Sequence, residues 1–125
     1  MTENEIGKSI VDAALLVHRE LGPGLLESVY ELALAYELQQ RGHRVERQSP
    51  VAIKYRGHSF DEGFRADLIL DSKVIVELKC VERLNNAHKK QLLTYLRLAG
   101  MKLGFLLNFS EELMKHGITR SVNRL

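Results

Sequence analysis

The stretch Phe64-Arg65-Ala66-Asp67-Leu68-Ile69-Leu70-Asp71-Ser72-Lys73-Val74-Ile75-Val76-Glu77-Leu78-Lys79-Cys80 decides the fold. Two largely apolar runs flank a short polar break, and each reads as a β-strand. Period two puts Phe64, Ala66, Leu68 and Leu70 on one face of the first run, and Val74, Val76, Leu78 and Cys80 on one face of the second. Arg65, Asp67 and Ile69 then share the opposite face, as do Ile75, Glu77 and Lys79. Asp71-Ser72 supplies a tight turn, so the two runs predict an antiparallel hairpin. Pairing them brings Asp67 near Glu77 and Lys79, on the side away from the greasy face.

Two carboxylates held a few ångströms apart repel each other, so one takes a proton or a cation sits between them. A hard divalent ion such as Mg²⁺ suits the second option, because it takes oxygen ligands and keeps several waters. A neighbouring ammonium adds fixed positive charge beside a metal-bound water. Such a set can generate a hydroxide-like nucleophile and stabilise charge on a phosphate under attack. Alternating charges on a strand also form ordinary solvated faces, and Glu77 and Lys79 could simply pair across strands.

Working outward, a chain of 125 residues is one domain, spanning 1–125, with room for a real core. The 45% hydrophobic and 27% charged fractions are those of an ordinary globular protein. A net charge of only +2 requires any nucleic-acid partner to be met by a local patch. No segment has the length of a membrane span, and the acidic start Met-Thr-Glu-Asn-Glu is unlike a signal peptide, so a cytoplasmic protein is expected. Cys80, the sole cysteine, excludes an internal disulfide and reads as a buried, inert thiol.

Ile6, Ile10, Ala14, Val17 and Leu21 predict a first amphipathic helix, stopped by Gly22-Pro23-Gly24. A second helix is expected over 25–40, with Leu25, Val29, Leu32 and Tyr36 as its apolar stripe and Gly42 at its end. Residues 44–48 and 51–55 read as short strands broken by Pro50, with a turn at Arg56-Gly57-His58. Asn85 or Asn86 can cap a third helix reaching Ala99, with Gly100 as its stop. Leu103 to Phe109 reads as a strand buried on both faces. Ser110 is a candidate cap for a short last helix, and the tail after Gly117 is ambiguous. Helix, helix, strands, helix, strand implies a mixed α/β sandwich.

Gly7-Lys8-Ser9 lacks the upstream glycine and strand of a phosphate-binding loop. The five histidines have no metal-ligand spacing. Glu27 has two readings: an acidic residue favoured by the helix dipole, or a carboxylate laid over the polar sheet face for a metal or water contact. Gln91 and Tyr95 lie one helical turn apart on the same side, able to hydrogen-bond a water, a lysine or a phosphate, or else a core tyrosine beside a solvated glutamine. Basic residues gather at Arg41, His43, Arg44 and Arg47, at Lys54, Arg56 and His58, and at His88, Lys89 and Lys90. These clusters could track a phosphate backbone or serve only for solvation.

With these residues placed, the chain resembles the PD-(D/E)XK nuclease superfamily, and more narrowly its small GxxExxY proteins. The narrower likeness rests on Gly24-Leu25-Leu26-Glu27-Ser28-Val29-Tyr30, the wider on Asp67, Glu77-Leu78-Lys79 and Gln91-Leu92-Leu93-Thr94-Tyr95. Ala66 stands where the superfamily's name would put a proline. The resemblance implies a restriction-endonuclease-like α-β-β-β-α-β core with an extra N-terminal helix. It implies Asp67, Glu77 and the Leu78 carbonyl as Mg²⁺ ligands (Mn²⁺ as a substitute), Lys79 at the attacking water, Glu27 at the metal, and Gln91 and Tyr95 orienting Lys79 or substrate. A Mg²⁺-dependent phosphodiesterase acting on DNA is the resulting expectation, with Arg65, Lys89 and Lys90 as phosphate contacts. The rival is a catalytically inactive module of the same fold that binds nucleic acid or a protein partner. A homodimer is expected, since one small unit can hardly enclose a duplex.

Overall fold

The computed structural model describes all residues, Met1–Leu125. Helix α1 runs Glu3–Leu21 and opens on a capping box in which Thr2 and Glu5 exchange backbone-to-side-chain hydrogen bonds. Helix α2 spans Glu27–Gln40, strand β1 Val45–Tyr55, β2 His58–Leu70 and β3 Val74–Lys79. Helix α3 spans Asn86–Ala99, capped by Asn85 and closed by left-handed Gly100, and β4 covers Leu103–Asn108. A last strand, β5, covers Ile118–Val122, and the sheet order is β1-β2-β3-β4-β5, with β3 and β4 parallel through the α3 crossover and every other pair antiparallel. The core order α2-β1-β2-β3-α3-β4 is the expected one, with α1 as the extra helix.

Three expectations need correcting. Pro50 does not break the first strand: β1 is continuous through it, because β1 lies at the sheet edge, where a missing N–H costs no ladder bond. The chain after Ser110 forms no α-helix. It makes a single 3-10 turn at Met114–His116 and then a fifth strand, β5 (Ile118–Val122), antiparallel to β4. The assumed stripe of α2 is not its buried face. Leu25, Val29, Leu32 and Tyr36 are all exposed, whereas Tyr30, Leu34, Ala35 and Leu38 are buried. Apolar residues surround this helix, so periodicity alone could not choose between its sides.

The β1-β2 hairpin turns at Arg56-Gly57, both with positive φ, and the β2-β3 hairpin turns at Asp71-Ser72 in the same manner. Asp71 is held there by His43, whose other ring nitrogen meets Ser9 of α1, and by the Arg44 amide.

The main core lies between α1, α2 and one sheet face, and a smaller one lies under α3. Leu68 and Leu70 belong to the first, but Phe64 and Ala66 pack with the second, so the expected four-residue face is split. Strand β1 changes sides in the same place, with Val45 against the first core and Val51 against the second. The step falls at Gln48 and Asp67, the pair skipped between Arg47↔Leu68 and Ser49↔Ala66, and Gln48 has φ 49°. Ladder pairing of β2 with β3 also stops at Leu68↔Val76. Here the β1-β2 ribbon twists away from β3, leaving a crevice between the strands.

Candidate active site

Asp67 and Glu77 face each other across that crevice, and each carboxylate occupies a place the ladder has vacated. The Asp67 amide donates to Glu77 Oε2 at 2.8 Å, and the Leu78 amide donates to Asp67 Oδ2 at 2.9 Å. Strand divergence would otherwise strand two amides in a half-buried place, and the carboxylates satisfy them. Glu77 is buried, and its carboxyl is pushed up to about 8, first by desolvation and then by the Asp67 charge. Glu77 therefore holds its proton at neutral pH.

Lys79, half-buried on the same strand face, opposes that rise with its own charge. Glu27 enters from the first turn of α2. It is exposed as a residue, yet partial desolvation and then the charge of Asp67 raise its pKa, with Lys79 opposing. Its placement follows from the turn before it. Gly24 adopts φ 103°, which favours glycine, and the Tyr30 hydroxyl accepts from the Leu25 amide while donating to the Gly22 carbonyl. Tyr30 is buried and stacks on Phe109 at 4.6 Å. The Gly-x-x-Glu-x-x-Tyr spacing is thus a turn, a carboxylate and a pin.

Tyr95 reaches the site from α3, stacked on Phe64 with ring centroids 3.9 Å apart. Burial, then Glu77 and Asp67, raise its pKa, so it stays a neutral donor. Gln91, one turn earlier, is exposed and its side chain makes no hydrogen bond within the protein. Leu78 is buried with its side chain in the main core. Arg65 points back to its own ribbon, donating to the Gln48 carbonyl at 2.9 Å. Lys89 and Lys90 line a groove between α3 and β5 with Thr119 and Arg120, which includes neither Asp67 nor Glu77.

The Arg41–Arg47 cluster is used internally. Arg41 pairs with Glu37, Arg44 with Glu46 and Arg47 with Glu31.

Sequence reasoning missed Glu31, Gln48 and Asn108. Glu31 is buried one turn after Glu27, a spacing that could have marked it. It binds Arg47 at 3.0 Å and Gln48 at 2.6 Å, and Gln48 reaches Asp67 at 3.3 Å. Fully buried Asn108 fixes the exit of β3, exchanging hydrogen bonds with both main-chain groups of Val81. Cys80 is a free thiol, partly and not fully buried as expected, and desolvation followed by the Glu27 charge raises its pKa.

A family model of the PD-(D/E)XK nuclease superfamily matches residues 4–121. The chain belongs to this superfamily. Its five-stranded mixed sheet with flanking helices is consistent with a restriction-endonuclease-like fold. No curated protein and no solved structure matches significantly. No helix is long and apolar enough to cross a membrane.

The donor set can be tested against a metal directly. Two apposed carboxylates, one of them buried, match the oxygen preference of a hard divalent ion such as Mg²⁺. No three acidic, histidine or cysteine side chains gather tightly enough to cage an ion by themselves. Both site carboxylates are turned to backbone amides, so the residues fit a hydrated ion rather than an all-protein cage.

Proposed function

We propose that the chain is a metal-dependent phosphodiesterase hydrolysing DNA, of the GxxExxY group, forming one nuclease-like unit over 1–125 and working in the cytoplasm. The superfamily membership supports a nuclease, and the apposition of Asp67 and Glu77 in the crevice carries the rest. In this reading Asp67, Glu77 and the Leu78 carbonyl hold Mg²⁺, or Mn²⁺ in its place. The ion supplies acidity to a bound water and charge stabilisation to the phosphate.

Lys79 orients the attacking water and offsets charge on the non-bridging phosphate oxygens. Glu27, with its raised pKa, accepts the proton of that water at its carboxylate. Tyr95 donates its phenolic hydrogen to a phosphate oxygen, and exposed Gln91 meets the substrate one turn away. Arg65, Lys89 and Lys90 contact flanking phosphates.

Incubation of plasmid and single-stranded DNA with Mg²⁺ or Mn²⁺, against EDTA, tests the assignment. Cleavage is expected with metal, lost on chelation and lost in Asp67→Ala and Lys79→Ala. Activity that survives either substitution refutes it. The rival reading, an inactive module binding nucleic acid or a protein partner, draws support from carboxylates already engaged by amides. A folded sample that neither cleaves nor binds Mn²⁺ would favour that rival.

A homodimer completes the proposal. The exposed stripe Leu25, Val29, Leu32 and Tyr36 lies on the side of α2 away from Glu27 and Glu31. With neighbouring Leu21 it forms an apolar patch that a second copy of the chain could cover.

A further inference from the structure

We infer that Gln48 is a positioning residue for Asp67, anchored in turn by Glu31. The consequence for metal binding rests on the nuclease reading, but the positioning itself does not. The Gln48 amide nitrogen donates to Glu31 Oε1 at 2.6 Å and to Asp67 Oδ1 at 3.3 Å. One amide thus spans two carboxylates. The reverse orientation would set its oxygen against both, so the network fixes which way it points.

The anchor is rigid. Glu31 is buried, and its other oxygen is held by Arg47 Nη2 at 3.0 Å. The shorter bond lies on the anchor side and the longer one on the site side, which steers Asp67 while leaving room for a cation at Oδ1. The second Asp67 oxygen takes the Leu78 amide from β3. Asp67 is therefore held by one donor from each flank of a crevice whose walls no longer pair with one another. Gln48 is its side-chain donor from the β1 flank.

The backbone shows the same constraint. Gln48 adopts φ 49°, a conformation that few L-residues take without a reason, directly opposite Asp67. Its carbonyl is held by Arg65 Nη1 at 2.9 Å. Both ends of the residue are fixed in an unfavourable backbone state, and what that state achieves is delivery of the amide to the crevice. A carboxylate ligand whose orientation is fixed by a hydrogen-bond partner binds its ion more tightly, and loss of such a partner weakens metal affinity about 10- to 100-fold.

Two variants separate this role from a structural one. Gln48→Gly removes the amide but relieves the backbone, which offsets part of the lost bond to Glu31, so the variant should stay folded and melt cooperatively in EDTA. Gln48→Glu keeps the size and loses both donors. In each, hydrogen exchange at the Leu78 amide should accelerate by about tenfold or more as Asp67 is released, with Ile75 and Leu106 unchanged. Calorimetric Mn²⁺ affinity should fall about 10- to 100-fold. Wild-type exchange at Leu78 in both variants would overturn the inference, as would unchanged Mn²⁺ affinity. If the wild-type protein binds no Mn²⁺, the nuclease reading fails, and Leu78 exchange alone decides the role of Gln48.

Discussion

Glu77→Gln should stabilise the metal-free protein, by an amount that grows with pH. The Glu77 carboxyl moves from an ordinary 4.5 to about 8 on folding, because it is desolvated beside Asp67. A carboxyl raised in this way holds its proton more tightly in the folded than in the unfolded state. Stability is therefore highest below the unfolded value and falls as pH climbs toward 8. A carboxamide never ionises and escapes that loss, while presenting Asp67 with an N–H where the protonated acid presents an O–H. Over the 2.5 pH steps between 4.5 and neutrality the difference reaches about 3 kcal/mol, and at pH 5 it stays under about 1 kcal/mol. For a domain of this size that is a rise in Tm of roughly 10 °C at pH 7. Urea unfolding in EDTA at pH 5, 7 and 8 measures it. A variant no more stable than wild type at pH 7, or a gap that does not widen with pH, would refute the reasoning.

Other substitutions probe the surroundings. Tyr95→Phe keeps the stack on Phe64 and should change Tm by little, whereas Tyr95→Ala should cost about 3 kcal/mol in urea unfolding. Asn108→Ala removes the clamp on Val81 from a fully buried position and should cost about 3 kcal/mol, with a parallel loss of cleavage as Lys79 loses its fixed strand end. Leu32→Glu, on the exposed stripe of α2, should leave the stability of the folded monomer within about 0.5 kcal/mol of wild type yet convert a dimer to a monomer by light scattering. A wild-type protein that is already monomeric at all concentrations would remove the dimer from the proposal.

The hairpin of β2 and β3 was legible because its apolar residues are dense and its turn is short. The adjacency of Asp67 and Glu77 followed from register alone. The side change at Asp67 was not legible, since alternation continues unbroken in the sequence while the backbone twists. Only the packing of Phe64 on Tyr95 reveals that Phe64 and Leu68 face opposite layers. The buried face of α2 was hidden for a different reason, because leucines surround that helix. Tyr30 is a buried anchor, a role set by its hydroxyl and the Gly22–Leu25 turn and not by the spacing of apolar residues. Gln48 carried no signal at all: a glutamine in a short polar strand is ordinary until its φ is known.

The side change at Gln48 and Asp67 has a mechanical corollary. Beyond it the β1-β2 ribbon runs on to its tip at Arg56-Gly57, and eight residues of extended chain measure roughly 26 Å. A rotation of only about 10° at that fulcrum would sweep the tip, with its Lys54, Arg56 and His58, through roughly 5 Å. The lever and the acidic pair share one joint, so whatever grips the far end of the ribbon also tugs on Asp67.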